Sequence, residues 1–180
     1  MAYLAEPASG DHGRLTGGDA DFPRPVTDHD WETPYPPFEA VPRFRWTRGE
    51  LRRRPSVYRH SAIRDWIVDE RAWHVFEEVA PGDLHLIARA TVDGEPARIV
   101  QAAVILDVVD RDHSIIDVYS TYEILRFPAF LESSRAEVAR RVFRVPGSYV
   151  DVFVGEDLRA ALDEAGIHGL NYAKVKFEEF

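Results

Sequence analysis

The chain has 180 residues, 45% of them hydrophobic, with 22 lysines and arginines against 31 aspartates and glutamates for a formal charge of -9. That length suits one well-buried domain with tails, and the absence of cysteine excludes disulfides, thiol nucleophiles and cysteine-ligated zinc. The acidity argues against nucleic acid as a partner, because phosphate binding needs cation density. It serves solubility by itself, and it also fits a basic protein partner.

No stretch approaches the roughly 18 apolar residues of a membrane span. The opening "MAYLAEPASGDHGRLTGG" has neither a basic nor a continuously apolar region, so no signal peptide is expected and the cytoplasm is the expected compartment. Residues 1–42 are rich in Pro, Gly, Asp and Ser without helical or strand period, which predicts an extended or partly disordered arm ahead of a domain at 43–180. Within and just after it, "DWETPYPPFEAVPRFRW" interleaves Trp31, Tyr35, Phe38, Phe44 and Trp46 with prolines. That composition suits a strap packed on its own domain or an arm that recognises a partner. The segment "RFRWTRGELRRRPSVYR" then holds seven arginines against one glutamate, read as a solvated turn paired with acidic residues rather than as an anion site.

From here the chain is regular. Asp69 is placed to cap a helix whose apolar residues Ala72, Val75, Phe76 and Val79 follow helical spacing, with "APG" at 80–82 as its stop. Leu84, Leu86, Ala88, Ala90 and Val92 alternate as one face of a strand, Asp93-Gly94 turns it, and "IVQAAVILDVV" returns as a central strand covered on both faces. More strands are expected in "SIIDVYSTYEILRF", and Ser134 to Glu137 has capping-box spacing. Together these elements predict an α+β fold, a mostly antiparallel sheet with a few packed helices.

The segment "VFVGEDLRAALDEAGIHGL" repeats the earlier pattern. A shift of 86 residues lays Val154 on Val68, Glu156 on Glu70, Leu158 on Ala72, Ala161 on Val75, Leu162 on Phe76, Ala165 on Val79 and Leu170 on Leu84. Glu156 and Asp157 then fall in a first helical turn, where unpaired N–H groups and the helix dipole favour negative charge. Helix-start duty explains them, although exposed carboxylates there also serve a partner. General acid-base work would need a cleft and a raised pKa that the neighbouring residues do not supply.

For chemistry the best cluster is "LDVVDRDH", which brings Asp107, Asp110, Asp112 and His113 to the end of a buried strand. As metal ligands they would make a small metal-dependent hydrolase; as a polar turn they would carry no reaction. No HExxH, GxSxG, P-loop or GxGxxG motif occurs, so no cofactor and no catalytic residue is assigned.

Five stretches in order resemble a known family. They are the strand-helix unit from Ile63, "PGD" at 81–83, "LDVVDRD", "VFRVPGS" and the closing "VFVGEDLRAALDEAGIHGLNY", which together cover roughly Ile63 to Val175. The chain resembles the immunity proteins of bacterial polymorphic toxin systems, in particular the group catalogued as immunity protein eleven and formerly as a domain of unknown function. It departs from the family's usual serine-glutamate helix start at Gly155-Glu156, and its aromatic arm has no match. The resemblance implies a protein that binds and neutralises a cognate toxin without a reaction of its own, whatever that toxin's activity. Trp31, Tyr35, Phe38, Glu156 and Asp157 are the candidate contacts, and oligomeric state is not readable.

Overall fold

The computed structural model describes residues 1–7, 14–18, 36–37, 39–47, 54–60, 63–120 and 123–178. In chain order the first elements are β1 (Ala2–Pro7), β2 (Arg14–Gly17), β3 (Arg43–Thr47), β4 (Val57–His60), β5 (Ile63–Asp69) and α1 (Glu70–Val79). Next come β6 (Leu84–Val92), β7 (Glu95–Ala102), β8 (Ile115–Val118), β9 (Glu123–Phe127), β10 (Ala129–Leu131) and α2 (Arg135–Val138). The last are β11 (Val142–Val145), β12 (Ser148–Gly155), α3 (Glu156–Glu164) and β13 (Leu170–Glu178). The fold is α+β and mostly sheet, as the sequence predicts.

α1 forms as its sequence dictates. The Asp69 carboxylate accepts the Ala72 N–H at 2.8 Å, and the stripe buries Ala72 and Phe76 fully and Val75 and Val79 in part. Ser134 does not cap α2. It lies in helical conformation at the end of a 3-10 turn and its hydroxyl donates back to Leu131 O, so the expected capping box is absent. The Ser-x-x-Glu spacing there falls inside a helical run rather than at its start.

The 86-residue offset extends to the whole fold. Arg43 and Ala129, Glu70 and Glu156, and Leu84 and Leu170 open corresponding elements, each pair 86 residues apart. One sheet runs β2-β3-β6-β7-β5-β4 and the other β10-β13-β1-β12-β11. Strand for strand, β3, β6, β7, β5 and β4 match β10, β13, β1, β12 and β11, including the parallel pairs β3 with β6 and β10 with β13. In each unit a helix crosses between two parallel strands that flank a third, antiparallel one. β7 fills that middle place by following β6 through the Asp93-Gly94 turn, whereas its counterpart β1 comes from the start of the chain.

This placement corrects the expectation of an arm for residues 2–7 and 14–17, most of the remaining residues before 43 lying outside the described ones. β1 is the middle strand of the second unit, bonded on both sides, and β2 pairs with β3 in the first. The apolar content of "AYLAEP" is too short to show a period, and its partners lie some 150 residues away in sequence.

Each sheet curls on itself. β2 lies against β4 at the far end of the first sheet, around a core of Phe44, Tyr58, Ile67, Ile87, Val92 and Ile99. In the second, the extended chain 104–110 bridges the two outer strands, parallel to β11 through Ile105 and Arg144 and antiparallel to β10 through Val109 and Phe130. Its core is aromatic, with Phe130 5.2 Å from Phe153 and 5.8 Å from Phe143 between ring centroids. Between the sheets α1 and α3 pack together, and Phe76, Leu158 and Leu162 meet Trp66, Val100, Val142 and Val154 in a third cluster.

Two strand expectations need amendment. The alternation Leu84 to Val92 is not one face, because Ile87 is an extra residue in the β6-β7 register. Leu84 and Leu86 face the helices, whereas Ala88, Ala90 and Val92 face the interior of the first sheet. The apolar run "IVQAAVILDVV" is central and covered on both faces only to Ala102; from Val104 the chain belongs to the second sheet.

Candidate functional site

Asp107 lies on the extended chain 104–110, and Asp110, Asp112 and His113 form the turn that ends it. The buried Asp110 carboxylate accepts the Asp112 N–H at 3.1 Å and the His113 N–H at 3.3 Å, and lies 2.7 Å from His113 Nδ1. The His113 side chain and these N–H groups hold the Asp110 carboxyl below its usual range, against the opposing pull of desolvation. Asp107 and Asp112 are exposed, and among the described residues no three His, Asp or Glu side chains gather so as to hold a metal ion. The structure therefore does not bring Asp107, Asp110, Asp112 and His113 together as ligands. Asp110 N–H donates to Ala129 O at 2.9 Å and Ala129 N–H to Ser114 Oγ at 2.9 Å, so this turn is the base from which β8 and β9 rise.

Glu156 and Asp157 sit where a helix start was expected, but backbone satisfies that start. Glu156 N–H donates to Met1 O at 2.9 Å, and the Asp157 and Leu158 N–H groups both reach Ala139 O, at 2.9 and 3.4 Å. Gly155 explains how α2 comes so close. A Cβ at 155 would lie 1.9 Å from Val138 O and 2.2 Å from Ala139 O. Both acidic side chains are exposed; the Met1 amino nitrogen, 2.7 Å from Glu156, holds that carboxyl below its usual range. Trp31, Tyr35 and Phe38 lie outside the described residues.

Asp83 of the "PGD" turn has a structural task that the sequence did not reveal. It is buried, accepts Arg141 Nε at 2.9 Å and the Val142 N–H at 3.0 Å, and so ties the end of α1 in one unit to β11 in the other. Burial pushes its carboxyl up, while Val142 and Arg141 pull it down. Of the arginine-rich segment, Arg43 and Arg45 are exposed on β3, and Arg54 donates to Tyr58 Oη at 2.7 Å and Val92 O at 2.6 Å.

The feature the sequence did not single out is the ribbon β8-β9, a two-stranded sheet apart from the other two. Leu125 is buried and Ile116 half-buried against the second sheet's core. Ile115, Val118, Tyr119 and Phe127 are 56%, 72%, 44% and 69% exposed, four of the five large hydrophobic side chains exposed among the described residues. A groove of about 340 Å³ runs under the ribbon between Val109, Ile116, Leu125 and Pro146. Arg111 pairs with Glu123, and Arg126 with Asp117 at 2.6 Å, across the ribbon surface.

These elements define a duplicated α+β protein with an exposed apolar ribbon. The chain belongs to the immunity protein family Imm11, whose family model matches residues 16–177. That match begins within β2, so it takes in most of residues 1–42. No curated protein matches the chain significantly. Among the described residues no helix is long and apolar enough to cross a membrane.

Proposed function

We propose that this protein binds a cognate bacterial toxin stoichiometrically and neutralises it, with no catalysis of its own and within the cytoplasm. The observation that carries this reading is the family match over residues 16–177. The partner is a protein rather than nucleic acid, and a basic one. The excess of carboxylates, -9 over the chain, would raise the encounter rate with such a toxin by complementary potential. Exposed carboxylates such as Glu156 and Asp157 then act collectively at the rim, and aromatic side chains supply the anchors, for which Trp31, Tyr35 and Phe38 are candidates within the arginine-poor first 42 residues.

The test is stopped-flow association with the toxin domain encoded beside this chain, across a salt series. Screening shortens the reach of charge to about 8 to 10 Å near physiological ionic strength. The association rate is expected to fall steeply from low to physiological salt while dissociation changes little. An association rate indifferent to salt would remove the basic-toxin steering from the account.

A further inference from the structure

We propose that the toxin is held at the β8-β9 ribbon, through an extended segment of the toxin that carries both basic and apolar side chains and adds as a strand along β8. This rests on the neutralisation reading above and assigns its surface.

Exposure and topology lead to this assignment. Among the described residues β8 and β9 pair as strands only with each other, and β9 also approaches the body, Leu125 N–H reaching Gly147 O at 3.5 Å. Among those residues β8 thus presents the open edge. An unpaired strand edge is a template for a partner strand, with main-chain bonds giving affinity and flanking side chains giving selectivity. Four of the exposed flanking side chains are apolar, beside the ion pair of Asp117 and Arg126: Ile115 and Phe127 stand opposite each other in the register, and Val118 and Tyr119 close the far end of β8. An exposed apolar group of this kind, rimmed by charge, marks a contact surface.

Charge decides the occupant. Residues 103–127 carry Asp107, Asp110, Asp112, Asp117 and Glu123 against Arg111 and Arg126, a balance of -3 with histidine neutral. Both arginines already pair with ribbon carboxylates, Arg111 with Glu123 and Arg126 with Asp117. These two pairs cancel, so the surplus exposed charge is that of Asp107 and Asp112 at the base of the ribbon, which would repel an acidic segment and attract a basic one. A strand bearing lysine or arginine beside apolar residues satisfies both the edge and the field.

The experiment uses the full chain and the toxin domain encoded beside it. Val118→Arg with Phe127→Arg changes two side chains that are mostly in solvent, so thermal unfolding is expected to match wild type while the dissociation constant rises at least 100-fold. Hydrogen exchange on the wild-type complex is expected to show new protection of the β8 amides, which keeps the assignment testable if the double variant fails to fold. Double-variant binding within threefold of wild type, or β8 amides unprotected in the complex, overturns the assignment while leaving neutralisation intact. So does loss of binding in Trp31→Ala with the ribbon variant unaffected, or a wild-type dimer that the ribbon variant dissolves without loss of toxin binding. Absence of any wild-type complex overturns the assignment and the neutralisation reading together.

Discussion

Leu4→Pro is expected to destabilise the protein severely. Leu4 lies in the middle of β1, opposite Phe153 of β12 on one side and Ala173 of β13 on the other. Proline there removes a ladder hydrogen bond inside a sheet and leaves a carbonyl on a neighbouring strand without its donor. It also withdraws the Leu4 side chain from the aromatic core it packs against. The combined cost is about 3 kcal/mol or more, a large part of the roughly 5 to 15 kcal/mol that holds a domain folded. The native Pro7 is tolerated because the pairing of β1 with β12 ends at Ala5, so β1 is an edge there. Circular dichroism and denaturant unfolding of the variant check this: an extended dispensable arm would accept the substitution with no change in midpoint, whereas a middle strand would not.

Gly155→Ser is the second large effect, and the capping rule gives the opposite sign. Serine at a helix N-cap usually stabilises by accepting an N–H of the first turn. Here those donors are already engaged by Ala139 O, and a Cβ would meet backbone atoms of Val138 and Ala139 at 1.9 to 2.4 Å. No side-chain rotation relieves a clash with backbone. The end of α2 must retreat, and the bonds from Asp157 and Leu158 to Ala139 go with it. Overpacking of this kind costs about 1 to 3 kcal/mol, which at this chain length corresponds to a melting temperature lower by roughly 2 to 12 °C. A melting temperature unchanged or raised would show that α2 stands further from α3 than described. The backbone of Gly155 is ordinary, with φ of -74°, so space and not conformation demands glycine.

The sequence exposed the repeat through seven apolar and acidic correspondences around one helix, and that signal was strong because helix stripes are local. Leu158 and Leu162 on Ala72 and Phe76 predicted what the two helices bury. The rest of the duplication was hidden because its strands are short and pair far apart in sequence. β1 is the extreme case, its counterpart β7 lying one tight turn from β6 while β1 reaches β13 across nearly the whole chain.

The face switch in β6 was hidden for another reason. Even positions 84 to 92 are all apolar, so the alternation looks unbroken; the only sign of the bulge is that Ile87, an odd position, is apolar as well. In the ribbon the difficulty is reversed. "SIIDVYSTYEILRF" reads correctly as strands, but period alone does not tell a buried face from one left in solvent for a partner. The aromatic candidates Trp31, Tyr35 and Phe38 rest instead on proline spacing, a compositional signal that carries no position in the fold, and Glu156 and Asp157 on a helix start. Asp110 and His113 looked like ligands because a turn that closes on its own carboxylate uses the residue types that bind metals.

The proposed neutralisation requires a folded protein of this sequence to switch off a toxin by occupying it. The most direct measurement titrates the purified chain into the toxin domain encoded beside it while following toxin activity, with co-expression in a sensitive host alongside. Activity is expected to fall linearly to zero at one equivalent, with an isolable complex and full rescue of growth. Toxin that stays active under an excess of the folded protein, or inhibition that proceeds catalytically at far below one equivalent, would rule out neutralisation by stoichiometric binding.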